Sequence, residues 1–354
     1  MINRRTFTKN LAGVAFTSCG LLDAARAQTK SGGGRREVKI GGRRIKTIDV
    51  HAHVAIPEAY ALMGNQPGGN ALAAAGSVDD RLRTMDQQGL DMEAISINPF
   101  WYGAPRDVAE KVIQLQNEKL AELCASHPDR FVAYATVALQ FPDLAAQQLE
   151  DGFKKLGLRG GSLGCIVAGQ ELSAKKFDPF WAKAEELGAL LFMHPAGAPD
   201  LAKRLQGNGL LTNVIGNPLD TTIALSHMIF DGVLDRFPRL RLCAAHGGGF
   251  LASYADRSDH GCLTFPEACK PFPVLKKKPT EYVKQLYFDS LVFTPEALRH
   301  LVATVGVGQI MIGTDYPYPW VTTPVDHVLG TPSLSNAERE MILGGTAAKL
   351  LRIG

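Results

Sequence analysis

Lys46-Thr47-Ile48-Asp49-Val50 runs straight into His51-Ala52-His53, and this stretch decides the fold. It joins a short apolar strand to a pair of imidazoles. Apolar runs of similar length recur at 93–98, 131–137, 158–163, 189–194, 240–246, 286–289 and 309–315, which with 46–50 makes eight. Segments with helical spacing lie between them: 79–88, 106–126 (ended by His127-Pro128), 142–156, 178–187, 221–237 and 295–305, with 336–351 after the last strand. Strand-helix alternation repeated eight times predicts an α/β fold of the (β/α)8, or TIM, barrel type. An open doubly wound sheet is the rival, but no G-x-G-x-x-G follows the first strand. The barrel takes residues 47–354 as one domain. Val38 to Ile45 reads as a small hairpin with a Gly41-Gly42 turn. Longer inserts at 55–77 and 253–283 fall on the face where barrel active sites are built.

Polar residues terminate these apolar runs. Side chains two apart on a strand point the same way, so His51 and His53 share a face, and paired imidazoles suit a divalent ion. An H-x-H pair alone is weak. Other strands strengthen it, ending in Met193-His194-Pro195, Ala245-His246-Gly247-Gly248-Gly249 and Thr314-Asp315-Tyr316. Four His and one Asp at one barrel mouth favour a metal site, because a buried polar side chain is costly unless bound or hydrogen-bonded. Asp289 also ends a strand and is a candidate either to bind substrate or to support a metal ligand from behind. Phe100, Trp101 and Tyr102 follow strand two, and Trp101 is a candidate lining residue for an aromatic-substrate pocket, with packing as the alternative. Asn217 and Asp220 read as helix starters.

Composition narrows the class further. Hydrophobic residues make up 45% and charged residues 21%, with a mean hydropathy of −0.02, which excludes a disordered tail, a collagen-like chain and a multi-span membrane protein. The formal net charge of +3 gives no concentrated basic face, so no nucleic-acid partner is expected. The excess sits in residues 1–27, where Arg4, Arg5, Lys9 and Arg26 stand against Asp23. Six cysteines include no C-x-x-C pair, which argues against a disulfide scaffold and a thiolate zinc site. Cys262 and Cys269 either bridge or remain free thiols.

Residues 1–27 read as an address. Arg4-Arg5 with Phe7 opens the chain, an apolar stretch spans 11–22, and Ala25-Arg26-Ala27 fits a leader-peptidase site. The pattern resembles a twin-arginine export signal, which implies a periplasmic protein, or a cytoplasmic one if the leader does not function. An amphipathic N-terminal helix and a lipoprotein signal at Cys19 are the weaker alternatives. The apolar stretch is too short to span a membrane, so no stable membrane association is expected after cleavage. Residues 28–46 follow as a Gly-rich linker and the hairpin.

Ile48-Asp49-Val50-His51-Ala52-His53, Met85-Asp86-Gln87-Gln88-Gly89, Met193-His194-Pro195, Gly216-Asn217-Pro218-Leu219-Asp220-Thr221-Thr222, Ala245-His246-Gly247-Gly248-Gly249 and Gly313-Thr314-Asp315-Tyr316-Pro317 occur in this order. Together they resemble the amidohydrolase superfamily, and within it the branch of aminocarboxymuconate-semialdehyde decarboxylase. The resemblance implies one divalent ion, most often Zn2+ with Mn2+ as the alternative. It implies metal ligands at His51, His53, His194 and Asp315, and His246 as catalytic base, with Asp315 also moving a proton. Strand four ends without the Lys or Glu of binuclear branches, which favours a single metal. Arg257 matches a family arginine that reaches a neighbouring subunit's site, so a substrate-binding role and a homodimer are further implications. Two departures alter the pocket: residues 67–77 contain no basic residue, and Ala196 stands where the family has Trp. The expected function is a metal-dependent carboxy-lyase acting on a small unsaturated or aromatic acid. The alternatives are a metal-dependent hydrolase of a small ester, lactone or amide on the same site, and a non-catalytic binding barrel.

Overall fold

A computed structural model describes residues 34–65, 76–269 and 274–354, without the side chains of 268 and 269. The expected export signal with Cys19, most of the expected Gly-rich linker and much of the first insert lie outside the described residues. The hairpin forms as expected, Lys39–Ile40 pairing antiparallel with Arg43–Arg44. Gly41 and Gly42 hold its turn in the left-handed region that side chains disfavour. Val38, Ile40 and Ile45 sink into the main core.

The eight expected strands all form: β1 (Ile48–His53), β2 (Met92–Ser96), β3 (Phe131–Ala135), β4 (Gly160–Gly164), β5 (Leu190–His194), β6 (Arg241–Ala244), β7 (Tyr287–Asp289) and β8 (Ile310–Met311). They pair in parallel in chain order. Backbone bonds from Val50 to Ile312, from Asp315 to His51 and from His53 to Tyr316 then tie β1 to the segment following β8. A (β/α)8 barrel results. Packing across β4 and β5 leaves no room at Gly160, where a Cβ would lie 2.2 Å from the Leu190 carbonyl oxygen.

Two apolar layers follow from strand alternation. Tyr134, Leu190, Phe192, Cys243 and Met311 fill the barrel interior, closed below by Ala347, Leu350 and Leu351. Leu191, Met193, Leu242 and Ala244 face the helices instead. His194 continues the inward parity of Leu190 and Phe192. β1 departs from simple alternation. Ile48 and Val50 belong to the interior cluster, whereas Ala52 packs outward. A register shift against β2 between Asp49 and Ala52 reverses the parity, so His51 and His53 also point inward. The His51 ring lies 4.9 Å from that of Phe192.

Among the helices are α1 (Val78–Gln88), α2 (Arg106–Ser126), α3 (Pro142–Lys154), α4 (Asp178–Leu187), α5 (Gly216–Phe230), α6 (Leu251–Thr264) and α7 (Pro295–Val305). Thr294 caps α7 by accepting from Ala297 N, with Pro295 at the first helical position. One expectation needs correction. The helix read over 221–237 begins earlier, at Gly216, and breaks at Gly232, whose φ of 72° is left-handed. Asn217 and Asp220 therefore sit inside the first turns of α5 rather than ahead of it. Residues 336–351 stay helical throughout but pass through a π turn at Met341–Gly345. Among the described residues, no helix is long and apolar enough to cross a membrane. Cys262 is disulfide-bonded, and Cys124, Cys165 and Cys243 are free thiols. The side chain of Cys269 lies outside the described ones.

Candidate metal centre and active site

His51, His53, His194 and Asp315 meet at the C-terminal mouth of the barrel, all buried, with one ligand atom from each within 4.8 Å of the others. Asp315 Oδ1 lies 3.1 Å from His51 Nε2, 2.8 Å from His53 Nε2 and 3.9 Å from His194 Nε2. His246 stands beside them, with Nε2 3.6 Å from Asp315 Oδ2 and its ring 5.1 Å from that of His51 and 5.2 Å from that of His194.

The surrounding residues decide which nitrogens face the centre. His51 Nδ1 lies 2.6 Å from Asp289 Oδ2, so Nδ1 carries a proton and Nε2 is the nitrogen turned to the centre. Ser96 Oγ spends its hydroxyl proton on the Ala52 carbonyl at 3.2 Å. It therefore accepts from His53 Nδ1 at 3.0 Å, which turns a bare His53 Nε2 to the centre, 3.1 Å from His51 Nε2. Neither ring nitrogen of His194 has a hydrogen-bond partner, and Asp315 Oδ1 also lacks one. Buried orphans of this kind are rare. Two imidazoles turned inward by their neighbours, a third with unused lone pairs and an unmet carboxylate oxygen fit a zinc-class divalent ion.

Electrostatics agree. Burial alone would lower His51, but Asp315 and Asp289 outweigh it and push its pKa up to about 10, so the two carboxylates call for a positive charge here. Burial, only partly offset by Asp315, lowers His53 to about 4. Burial and the neighbouring imidazoles hold His194 well below its ordinary value. Those two rings stay neutral, the form that donates to a metal. Burial would raise Asp315, yet the histidines around it keep its carboxyl well below the usual range.

Strained loops deliver the two residues from strands six and eight. His246 and Asp315 have φ of 57° and 62°, unusual for side-chain-bearing residues and typical of functional sites. Gly247, Gly248 and Gly249 continue the left-handed path. Gly313 has no space for a side chain, since a Cβ would lie 2.7 Å from that of Asp289 and 3.0 Å from that of His51.

A cavity of about 830 Å³ opens above the centre. His194 and Asp315 form part of its wall, with Asn98, Pro99, Tyr318, Trp320 and much of the chain from Pro195 to Asn217. Its volume suits a small organic ligand. A smaller cavity of about 320 Å³, on the outer face between α2 and α3, holds none of these residues.

None of the three substrate candidates is among the described residues that line this cavity. Asp289 is fully buried and spent on protein: besides His51 it accepts from the backbone N–H of His246, Gly247 and Leu291. Trp101 is fully buried, its Nε1 donating to the Val137 carbonyl at 2.9 Å, so it packs the wall's support rather than the wall. Arg257 is exposed on α6 and is not among the residues lining the cavity. Sequence reasoning missed Ser96, Asn98, Tyr318 and Trp320. It also missed Arg81, which donates to Glu93 Oε2 at 2.6 Å and to the His53 carbonyl and lies 4.4 Å over the Tyr316 ring. Helical spacing held a clue, because Arg81 lies four residues from the buried Met85 and must share its inward face.

Comparison with known proteins agrees with this geometry. The amidohydrolase family model matches residues 48–353. The 2-amino-3-carboxymuconate-6-semialdehyde decarboxylase of Dictyostelium discoideum is 31% identical over 277 residues, covering 77% of this chain and 76% of the relative. Gamma-resorcylate decarboxylase of Rhodococcus jostii (strain RHA1) is 28% identical over 296 residues, covering 78% and 87%. Among solved structures, 5-carboxyvanillate decarboxylase from Sphingomonas paucimobilis matches with a TM-score of 0.80 at 24% identity, over 88% of this chain and 100% of that one. A dihydroxybenzoic acid decarboxylase from Polaromonas sp. JS666, with bound manganese and 2-nitroresorcinol, matches with a TM-score of 0.78 at 24% identity, over 87% and 97%. The fold, the inward-facing His/Asp cluster and the family match together place this chain in the amidohydrolase superfamily, where the relatives it matches are decarboxylases.

Proposed function

We propose that this chain is a metal-dependent carboxy-lyase that removes carbon dioxide from a small aromatic or unsaturated carboxylic acid. The observation that carries the reading is the cluster of inward-facing imidazoles and Asp315 in the wall of an acid-sized cavity, in a chain whose relatives are decarboxylases. His51, His53, His194 and Asp315 would hold one divalent ion. When bound, such an ion polarises a substrate oxygen and stabilises the charge that develops there. Zinc is the first choice from the donor set, and manganese is the alternative because a solved relative holds it.

The chain's own residues then handle the proton. Loss of carbon dioxide breaks a carbon–carbon bond and leaves its electron pair on the substrate carbon, which must gain a proton. His246, beside Asp315 and outside the ligand set, is placed to deliver that proton. Asp315, anionic and touching both His246 and the other imidazoles, keeps the proton in the site.

Chain loaded separately with zinc and with manganese should release carbon dioxide from at least one member of a panel of hydroxybenzoic and muconate-type acids. Ester or lactone cleavage with no release across the panel would overturn the reading in favour of a hydrolase. Export by the twin-arginine route is part of the same proposal, supported by Arg4-Arg5 and Ala25-Arg26-Ala27. Its expected product is a periplasmic chain beginning at Gln28, and a full-length chain confined to the cytoplasm would refute it.

A further inference from the structure

Arg81 is buried on the face of α1 that turns toward β1 and β2, and it makes three contacts there. One guanidinium N–H donates to Glu93 Oε2 at 2.6 Å, a second donates to the His53 carbonyl, and the planar group lies 4.4 Å over the Tyr316 ring. The Glu93 contact alone would only join α1 to β2, a task that apolar side chains perform as well. The other two contacts fall on chain that carries metal ligands. His53 is itself a ligand and the last residue of β1, and Tyr316 directly follows Asp315. These two segments also bond to each other, from the His53 N–H to the Tyr316 carbonyl at 2.7 Å.

The backbone of Asp315 gives these contacts a purpose. Its φ of 62° is a strained conformation that persists only where its neighbours hold it. On one side Asp49 holds Thr314, accepting from its Oγ1 at 2.5 Å and from its N–H at 3.2 Å. On the other side Arg81 covers Tyr316. Arginine suits the place because one rigid fork reaches a carboxylate and a carbonyl while its face stacks on a ring. A metal site tolerates shifts of only about 0.2 Å in its ligand distances, so a small movement of either segment changes the coordination.

We propose that Arg81 is a positioning residue of the metal centre, which sets the spacing between His53 and Asp315 by holding the His53 carbonyl and the Tyr316 ring from behind. This rests on the metal-binding part of the function proposed above and not on the reaction.

Loading the full chain with Co2+ tests the assignment, because the visible absorption of that ion follows its coordination number and geometry. Arg81→Met alone would strand the buried Glu93 carboxylate, so Glu93→Gln accompanies it and leaves a neutral pair. Arg81→Lys keeps the charge beside Glu93 but loses the planar fork. Both variants should stay folded by circular dichroism, yet bind Co2+ about 10- to 100-fold more weakly and with an altered spectrum. Arg83→Met, on the exposed side of the same helix, should match the wild type in affinity and spectrum.

Wild-type affinity and spectrum in either folded variant would overturn the proposal and leave Arg81 as packing. Weaker binding with an unchanged spectrum would overturn it too, because a generally loosened fold gives that result, and so would an equal change in Arg83→Met. If the paired variant fails to fold, Arg81→Lys decides alone. A wild-type chain that takes up no Co2+ would sink the metal centre and the role of Arg81 with it. The expected changes in a chain that releases no carbon dioxide would sink only the carboxy-lyase reading and leave Arg81 standing.

Discussion

His246→Ala is expected to lower kcat by about 10²- to 10⁴-fold, the usual range for losing a positioned proton donor or acceptor, while the protein stays folded and binds one ion per chain. The reason is geometric. His246 touches the ligand set from one side, 3.6 Å from Asp315 Oδ2, without belonging to the four residues whose donor atoms converge. Its Nδ1 has no hydrogen-bond partner and its Nε2 faces Asp315, so its loss breaks only that one contact with the ligand set. The backbone at φ 57° makes His246→Asn the right companion variant, because Asn tolerates the left-handed region and separates backbone strain from lost proton transfer. Both variants should lose kcat with little change in substrate affinity. Loss of the metal along with activity would instead make His246 a ligand. Unchanged kcat would remove it from the mechanism altogether.

Asp289→Ala should cause the largest loss of stability. Asp289 accepts from His51 Nδ1 at 2.6 Å and from the backbone N–H of His246, Gly247 and Leu291 at 2.9, 2.8 and 3.1 Å. Burial alone would raise its carboxyl, but the His51 hydrogen bond outweighs this and holds it below the usual range. Removing the side chain leaves two buried N–H groups, of Gly247 and Leu291, and the half-buried one of His246 without acceptors, each buried one costing about 1–3 kcal/mol. A total of about 4 kcal/mol or more places this variant in the exceptional tail of single substitutions. His51 would also lose the partner that fixes its tautomer, and metal affinity should fall about 10- to 100-fold. Asp289→Asn keeps one acceptor oxygen, so it should recover part of the stability but not the full metal affinity. Denaturant midpoints and metal titrations on both variants check this. Near-wild-type values for Asp289→Ala would show that the loop and the His51 ring are held by something else.

Much of the barrel was legible because its strands are short apolar runs between helix-length segments, a pattern that local chemistry creates. The four ligands were legible too, since each ends such a run and polar residues are not placed there without cause. Helix limits were harder. Gly232 inside an apolar helical pattern reads as a tolerated glycine, and only its left-handed backbone shows that the helix stops there. The substrate candidates were least legible. Asp289 was placed correctly at the mouth, but its partner His51 is 238 residues away in sequence. Trp101 was flagged for its chemistry, and packing buried it.

The sequence alone determined the alternation of elements, the kinds of donor at the strand ends and the absence of basic residues from 67 to 77. These are properties of neighbouring residues and their periods. Tertiary structure decided which way those donors face. Alternation puts His51 and His53 on one face, but opposite Ile48 and Val50. The register shift between Asp49 and Ala52 turns all four inward. Pairing with β2 sets that shift, and Ser96 and Asp289 set the two tautomers. Each of these contacts joins residues far apart in the chain, and so exists only once the barrel closes.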